Sequence, residues 1–325
     1  MKATAVAPSN IAFIKYWGKK DEVLRLPENG SISMNLSAMT TTTTVEFHPS
    51  LKEDLIVIND TKEENEGNRA IKHLDRIRER AKITDKANVV TITNFPRGTG
   101  LSSSASGFAA LTVAASKAVG LTLSEKELSI LARQGSGSAC RSIPNGITEW
   151  LDGETSDTSY AVSLYPPEYW DLCDVVAVVS VGRKEVATSA GMKLAQKSPF
   201  FETRRLHIKE KIILCKKFLA EKNFQAFGEL IEAEALELHA IMLTSTSSLI
   251  YWTPGTLRIM KLCKVWRNEG IPVYFTINTG QDIHLICEKP FVDAIKKRLA
   301  DVEEVKNIIV NTSAPGAHPT NEHLF

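Results

Sequence analysis

Cysteine is scarce and poorly spaced for either of its usual structural uses. Cys140, Cys173, Cys215, Cys263 and Cys287 are five in number and scattered, a pattern that excludes a disulfide framework and a thiolate metal site. Packed thiols in a reducing, cytoplasmic setting are expected, and core packing is preferred to an intermolecular bridge at Cys215. A charge excess is missing too: 39 Lys and Arg against 38 Asp and Glu leave +1. Nucleic-acid binding rests on a basic surface, so no such partner is expected. No apolar run reaches membrane-spanning length, and MKATAVAPSN lacks the layout of a signal peptide, so neither membrane insertion nor processing is expected. Repeats and low-complexity tracts are absent. The seven histidines form no cluster. His207 and His239 fall on predicted helices and should pack there. Glu232 and Glu234 read as surface or helix-supporting groups, and the terminal HPTNEH as a frayed tail.

What is present is apolar patterning. With 43% apolar residues over 325 positions, the chain can bury a core divided between two domains. Threonines running into apolar residues at 40–47, then 54–58 and 88–93, read as strands. Helical spacing marks 66–80, and small apolar residues mark a buried helix over 102–119. A third helix at 123–134 carries a capping box, Ser124 with Glu127. The continuous apolar run 175–181 predicts a strand buried on both faces. Helices follow at 204–221, 226–242, 254–269 and 291–300, with strands at 273–278, 282–287 and near Ile308. Strands placed early and late around helices give α+β. The expected boundary lies near residue 185, dividing the chain into 1–185 and 186–325.

One loop carries chemistry by itself. Pro96-Arg-Gly-Thr-Gly-Leu-Ser-Ser-Ser-Ala105 follows a strand and opens a helix. Gly98 and Gly100 let the backbone turn and approach an anion. Ser102, Ser103 and Ser104 add hydroxyl donors, and the helix start adds amides and a positive dipole end. This is a polyphosphate cradle, without the Gly-Lys-Ser/Thr ending of the Walker type.

Pro96, Gly100, Leu101, Ser103, Ser104 and Ala105 match the nucleotide signature of the galactokinase, homoserine kinase, mevalonate kinase and phosphomevalonate kinase superfamily, which the chain therefore resembles. Three more segments resemble the mevalonate diphosphate decarboxylases within it: 7–19 (APSNIAFIKYWGK) continuing into Leu26-Pro-Glu-Asn29 and Ser31, then 133–142 (RQGSGSACRS), and Thr188-Ser-Ala-Gly-Met192. The resemblance implies a two-lobed fold, with a ribosomal-S5-like N-terminal domain and a ferredoxin-like C-terminal domain. It implies ATP with Mg²⁺, carried by ATP with Ser104 as an optional ligand. It also implies a homodimer that converts a 5-phosphorylated mevalonate to an isopentenyl phosphate. By the same resemblance Arg141 holds the substrate carboxylate, a role its planar fork suits. Tyr16 and Lys19 contact the substrate phosphates, Lys15 adds charge, and Ser136, Ser138, Ser189 and Met192 complete the substrate side. Asn29, Ser31, Asn68 and Arg69 fall on the nucleotide side. The YWGK motif points to the 5-diphosphate. Ile250 to Leu257 and Val273-Tyr-Phe look more like a branch using the 5-monophosphate. Two other readings stay open: a kinase that phosphorylates the 3-hydroxyl and stops, and a non-catalytic ATP-binding regulator.

One position departs from the resemblance. Family members carry an aspartate in the turn matched by 275–282 (FTINTGQD), and here Asn278 stands in its place. An amide cannot take a hydroxyl proton. Asn278 is thus a deliberate exchange that traps ligands, or a natural variant with assistance from elsewhere, or Asp282 serves instead.

Overall fold

Alanine sets the first packing layer. The computed structural model describes residues 1–61, 64–180, 182, 186 and 188–325, leaving aside the side chains of Glu64 and Ser189. The N-terminal part runs β1 (Lys2–Ile14), β2 (Lys19–Asp21), β3 (Leu26–Pro27), β4 (Ser31–His48), β5 (Leu55–Ile58), α1 (Glu64–Ala81), β6 (Lys86–Thr93), α2 (Ser103–Ala118), α3 (Glu125–Gly135), β7 (Ile147–Trp150) and β8 (Ala161–Tyr165). Ala3, Ala5 and Ala7 of β1 face Ala109, Ala110 and Ala114 of α2 in one buried cluster. Residues without long side chains let that helix lie close on the sheet, as the run of small residues predicts. The Ser124–Glu127 capping box forms at the start of α3.

The remainder runs β9 (Leu172–Val178), α4 (Thr188–Met192), α5 (Phe201–Glu221), α6 (Phe224–Thr244), α7 (Pro254–Asn268), β10 (Val273–Thr276), β11 (Ile283–Glu288), α8 (Val292–Ala300), β12 (Asn307–Thr312) and β13 (His318–Thr320). Two main sheets result. One orders β13-β1-β4-β6-β5, with β7 and β8 extending from β4, and the other orders β10-β11-β9-β12. Every pairing is antiparallel except β5 with β6. All seven residues of β9 are buried. On one face Val175 and Ala177 pack with α7 and α8. On the other, Val176 and Val178 join Ile11, Phe13 and Ile208. An antiparallel strand can therefore read as a continuous apolar run when both faces are covered.

Several expectations need correction. The chain changes sheet between β8 and β9; the expected boundary at 185 falls outside the described residues. The terminal tail is docked, not frayed. β13 pairs with β1, and His323 Nδ1 lies 2.6 Å from Thr4 Oγ1. His207 is exposed rather than packed. Glu232 and Glu234 are buried, which removes the surface reading and leaves the supporting one: they pair with Arg267 of α7 and Arg204 of α5. Cys215 is fully buried and free, which leaves no route to an intermolecular disulfide. The strand β1 escaped the pattern reading because small and polar residues interrupt its alternation.

Candidate functional site

The phosphate loop comes first in building the site. Gly98 and Gly100 have φ of 77° and 111°, and Ser102, at φ 60°, caps α2 in the left-handed region. A left-handed serine is strained, and its side chain makes no capping bond to the helix. The first amides of α2 are therefore left for a ligand. The loop is held from behind by Ser9, whose Oγ donates to Leu101 O at 2.6 Å.

Opposite the loop lies the turn between β10 and β11. Asn278 Nδ2 donates to Ser102 Oγ at 3.0 Å, and Gln281 N donates to Thr99 O at 3.1 Å. Asn278 Oδ1 accepts from Lys15 Nζ at 3.3 Å. Lys15 is 2% exposed, and its amine also donates to Ala12 O and Thr276 Oγ1, both at 2.6 Å. Burial pushes the Lys15 amine down to about 7, with Glu234 working the other way. His239 supports the turn by pairing Nε2 with Asn278 O at 3.0 Å and stacking on Trp252. Burial lowers its imidazole to about 3, so it stays neutral. That is the packing role expected of His239.

Arg141 sits on the short 3₁₀ segment Gly137–Ser142. Its guanidinium meets only neutral acceptors: Ser33 Oγ at 2.9 Å, Ser31 Oγ at 2.6 Å and Asn10 Oδ1 at 3.2 Å. Asn10 also donates to Ser138 O and Ser142 Oγ, fixing the segment to β1. Burial disfavours the Arg141 charge, yet arginine remains protonated. The site therefore holds a buried cation with no carboxylate against it among the described residues.

One cavity gathers these groups. Its wall includes Lys15, Tyr16, Lys19, Arg69, Gly98, Gly100, Ser102, Ser103, Ser104, Ser136, Ser138, Arg141, Met192 and Asn278. Tyr16 stands edge-on to Trp150 at 4.6 Å, its phenol pushed up by burial. Gly137 leaves room for that ring, since a Cβ there would come within 2.7 Å of it. Lys19 Nζ pairs with Glu22 at 2.5 Å.

Other expected residues lie elsewhere. Ser31 is behind the cavity on Arg141. Asn29 is buried, with Nδ2 donating to Lys15 O at 2.9 Å and to Gly30 O at 2.6 Å. Neither lines the cavity on the nucleotide side, because their short side chains are spent on these backbone and arginine partners. Pro96 and Leu101 shape the loop without reaching the wall, and Asn68 is exposed on α1. The Ser189 side chain lies outside the described residues. Asp282 is 3% exposed and absent from the wall, and its Oδ1 accepts from Val179 N at 2.9 Å. It ties the residue before β11 to the residue after β9.

The pattern reading missed Arg25, Glu66, Thr188 and Thr279, which also line the cavity. Arg25 adopts φ 52°, and its Nε donates to Gln134 O at 3.0 Å. Beside it, Arg69 Nη2 donates to Gly135 O at 3.4 Å. An isolated arginine between two leucines, Leu24 and Leu26, was the available signal. Among the described residues no group of three or more His, Cys, Asp or Glu side chains could hold a metal.

The chain is similar to known proteins along most of its length. Residues 7–161 match the family model of the diphosphomevalonate decarboxylase-like N-terminal domain, and residues 174–320 that of the mevalonate 5-diphosphate decarboxylase C-terminal domain. The phosphomevalonate decarboxylase of Haloferax volcanii is 33% identical over 93% of this chain and 93% of its own. The diphosphomevalonate decarboxylase of Candida albicans is 31% identical over 99% of each chain. A solved structure, MDDEF in complex with MVAPP, AMPPCP and magnesium, superposes with a TM-score of 0.93. It is 36% identical over 98% of this chain and 99% of that one. With its two-lobed fold, its phosphate loop and its buried arginine, the chain belongs to the mevalonate diphosphate decarboxylase family of the GHMP kinase fold.

Proposed function

We propose that this chain is an ATP-dependent decarboxylase of mevalonate 5-diphosphate. The observation that carries the reading is the pairing of the phosphate loop with Arg141 and Lys15 in one cavity. Both cations are buried, and neither side chain meets a carboxylate among the described residues. Buried cations with neutral partners are costly unless a ligand brings negative charge. A carboxylate on the Arg141 fork, with its phosphate end toward Tyr16 and Lys19, supplies that charge. Arg25 adds a further cation to the wall, which favours the diphosphate over the monophosphate.

The loop amides and the Ser103 and Ser104 hydroxyls would hold the nucleotide phosphates and stabilise charge during transfer. The substrate 3-hydroxyl oxygen bonds to the γ-phosphorus, and the bond to the ADP oxygen breaks. The 3-phosphate then leaves with its electron pair, and the C1–C2 electrons form the alkene as CO2 departs. Arg141 holds the carboxylate in line for that loss. Among the described residues no acidic cluster would hold a resident ion; Ser104 would sit beside Mg²⁺ carried by ATP, which would supply charge neutralisation on the phosphates.

We further assign a cytoplasmic homodimer. Five free, buried cysteines support a reducing compartment. Leu206 and Ile213, 79% and 64% exposed on α5, offer an apolar face to a second copy.

Incubation with ATP, Mg²⁺ and each mevalonate phosphate, with products resolved by mass spectrometry, tests the reading. Isopentenyl diphosphate with CO2 is expected. A 3-phosphorylated product without CO2 would make the chain a kinase, and ATP binding without turnover would make it a regulator.

A further inference from the structure

Phosphoryl transfer leaves one proton to be removed from the tertiary hydroxyl of the substrate. Among the described residues, the cavity wall limits the candidates. Arg25, Arg69 and Arg141 never release their protons. Tyr16 is held protonated by burial. Glu66 is engaged by Arg97 on the α1 side, and Lys19 is engaged by Glu22. Asn278 has no basicity, and Asp282 does not reach the wall.

Lys15 remains. Its amine is buried, opens onto the cavity, and among the described residues touches only Ala12 O, Thr276 Oγ1 and Asn278 Oδ1. None of these three demands a positive charge. Asn278 spends its amide nitrogen on Ser102, which turns its oxygen toward Lys15 and ties the amine to the head of the phosphate loop. A hydroxyl between the loop and the Arg141 fork would meet this amine.

Resting on the decarboxylase reading above, we propose that the neutral amine of Lys15 is the general base, and that Asn278 positions it. The lone pair of Lys15 takes the hydroxyl proton as the oxygen–phosphorus bond forms and ADP leaves. The resulting ammonium returns its proton to solvent after product release. No co-reactant beyond ATP is needed.

The charged surroundings are compatible with a neutral amine. Glu234 of α6 accepts from the Lys15 backbone amide and favours the charged form, as Asp174 of β9 does at longer range. Arg204 of α5, on the Lys15 carbonyl, and Arg141 oppose it. His239 of α6 is uncharged. Burial outweighs the carboxylates and brings the amine to about 7, the range suited to a general base at neutral pH. An aspartate at position 278 would stand against the amine and hold it protonated, whereas the amide leaves it free to titrate.

Single-turnover ADP formation by the full chain, with ATP, Mg²⁺ and whichever mevalonate phosphate is consumed, tests this between about pH 5.5 and about pH 9. The parent rate should rise about tenfold per pH unit and level above about pH 7. Lys15→Arg keeps the charge but cannot deprotonate, so it should show a flat profile, about 10²–10⁴-fold below the parent plateau above about pH 7 with the gap narrowing toward acid, while still binding ATP. Asn278→Asp, which keeps the fold's shape if the arginine variant does not, should move the rising limb toward acid as a carboxylate takes over. A flat parent profile, an unmoved limb in Asn278→Asp, or parent-like turnover by Lys15→Arg would each overturn the role of Lys15. If CO2 still forms in those cases, the decarboxylase reading stands. If neither substrate yields ADP, that reading falls and takes this inference with it.

Discussion

Gly100 and Gly280 meet backbone to backbone across the site. A Cβ on Gly100 would lie 2.5 Å from the Gly280 Cα, and a Cβ on Gly280 would lie 1.9 Å from Thr99 O. This contact closes the phosphate loop onto the turn that carries Asn278. Gly280→Ala must therefore part the two, shifting Lys15 and Asn278 from the loop. Misplacement on the scale of an ångström costs about 10²-fold in turnover. Circular dichroism should show an intact fold while kcat/KM falls by that order, and an unchanged kcat/KM would count against a site shared between the two loops.

Ser103 and Ser104 line the cavity at the start of α2. Losing one donor to a charged phosphate costs about 1.5–3 kcal/mol, or roughly 10- to 160-fold in kcat/KM for ATP. Ser103→Ala and Ser104→Ala should each show such a loss with the melting temperature retained. Parent kinetics in both would remove the hydroxyls from the cradle.

Arg141→Lys separates the two halves of the site. Lysine keeps the charge but loses the fork, and Ser31, Ser33 and Asn10 lose their shared donor. CO2 release should fall about 10- to 100-fold while ATP affinity changes little. Equal losses in both measurements would place Arg141 on the nucleotide.

Lys19 opens onto the cavity while paired with Glu22. If it meets the terminal phosphate, Lys19→Met should lower the preference for diphosphate over monophosphate by about 10-fold. Competition between the two substrates reads this ratio directly. An equal loss with both would put Lys19 on the inner phosphate.

Glu234 and Arg204 form a fully buried pair at 2.5 Å, with Lys211 adding a bond at 3.1 Å. Burial alone would raise the Glu234 carboxyl, but Arg204 and Lys211 outweigh it and hold the group below its ordinary 4.5. A carboxyl depressed on folding stabilises above its unfolded value, and that contribution is lost as pH falls through the folded value. Glu234→Gln leaves a buried arginine short of charge and should cost about 3–5 kcal/mol at about pH 7. Urea unfolding should show the gap between parent and variant closing below about pH 4. A gap independent of pH would mean that packing, not charge, is what the variant loses.

The amino-acid sequence determined the parts that depend on near neighbours. Glycines at 98 and 100 before a serine run dictate a turn into a helix, and the structure has that turn. Ser124 and Glu127 cap α3 because their partners are three residues away. The long apolar run around 175 could only be buried. Arg141 reads as a candidate anion-binding fork from its motif and its chemistry together, and the fold buries it on neutral acceptors.

Tertiary structure alone decided the rest, because the deciding partners are far away in the chain. Glu234 reads as a surface residue until Arg204, thirty residues earlier, is brought to it by α5 packing on α6. Asn29 and Ser31 read as nucleotide contacts from their motif; the fold sets Asn29, just before β4, on the Lys15 carbonyl and Ser31, the first residue of β4, on the Arg141 guanidinium. The tail at 318–323 looks frayed until β1 offers it an edge. The most consequential case is the amine of Lys15. Its charge at neutral pH is set by burial among groups contributed by β1, the 3₁₀ segment, α5, α6, β9 and β10, and no local pattern encodes that environment.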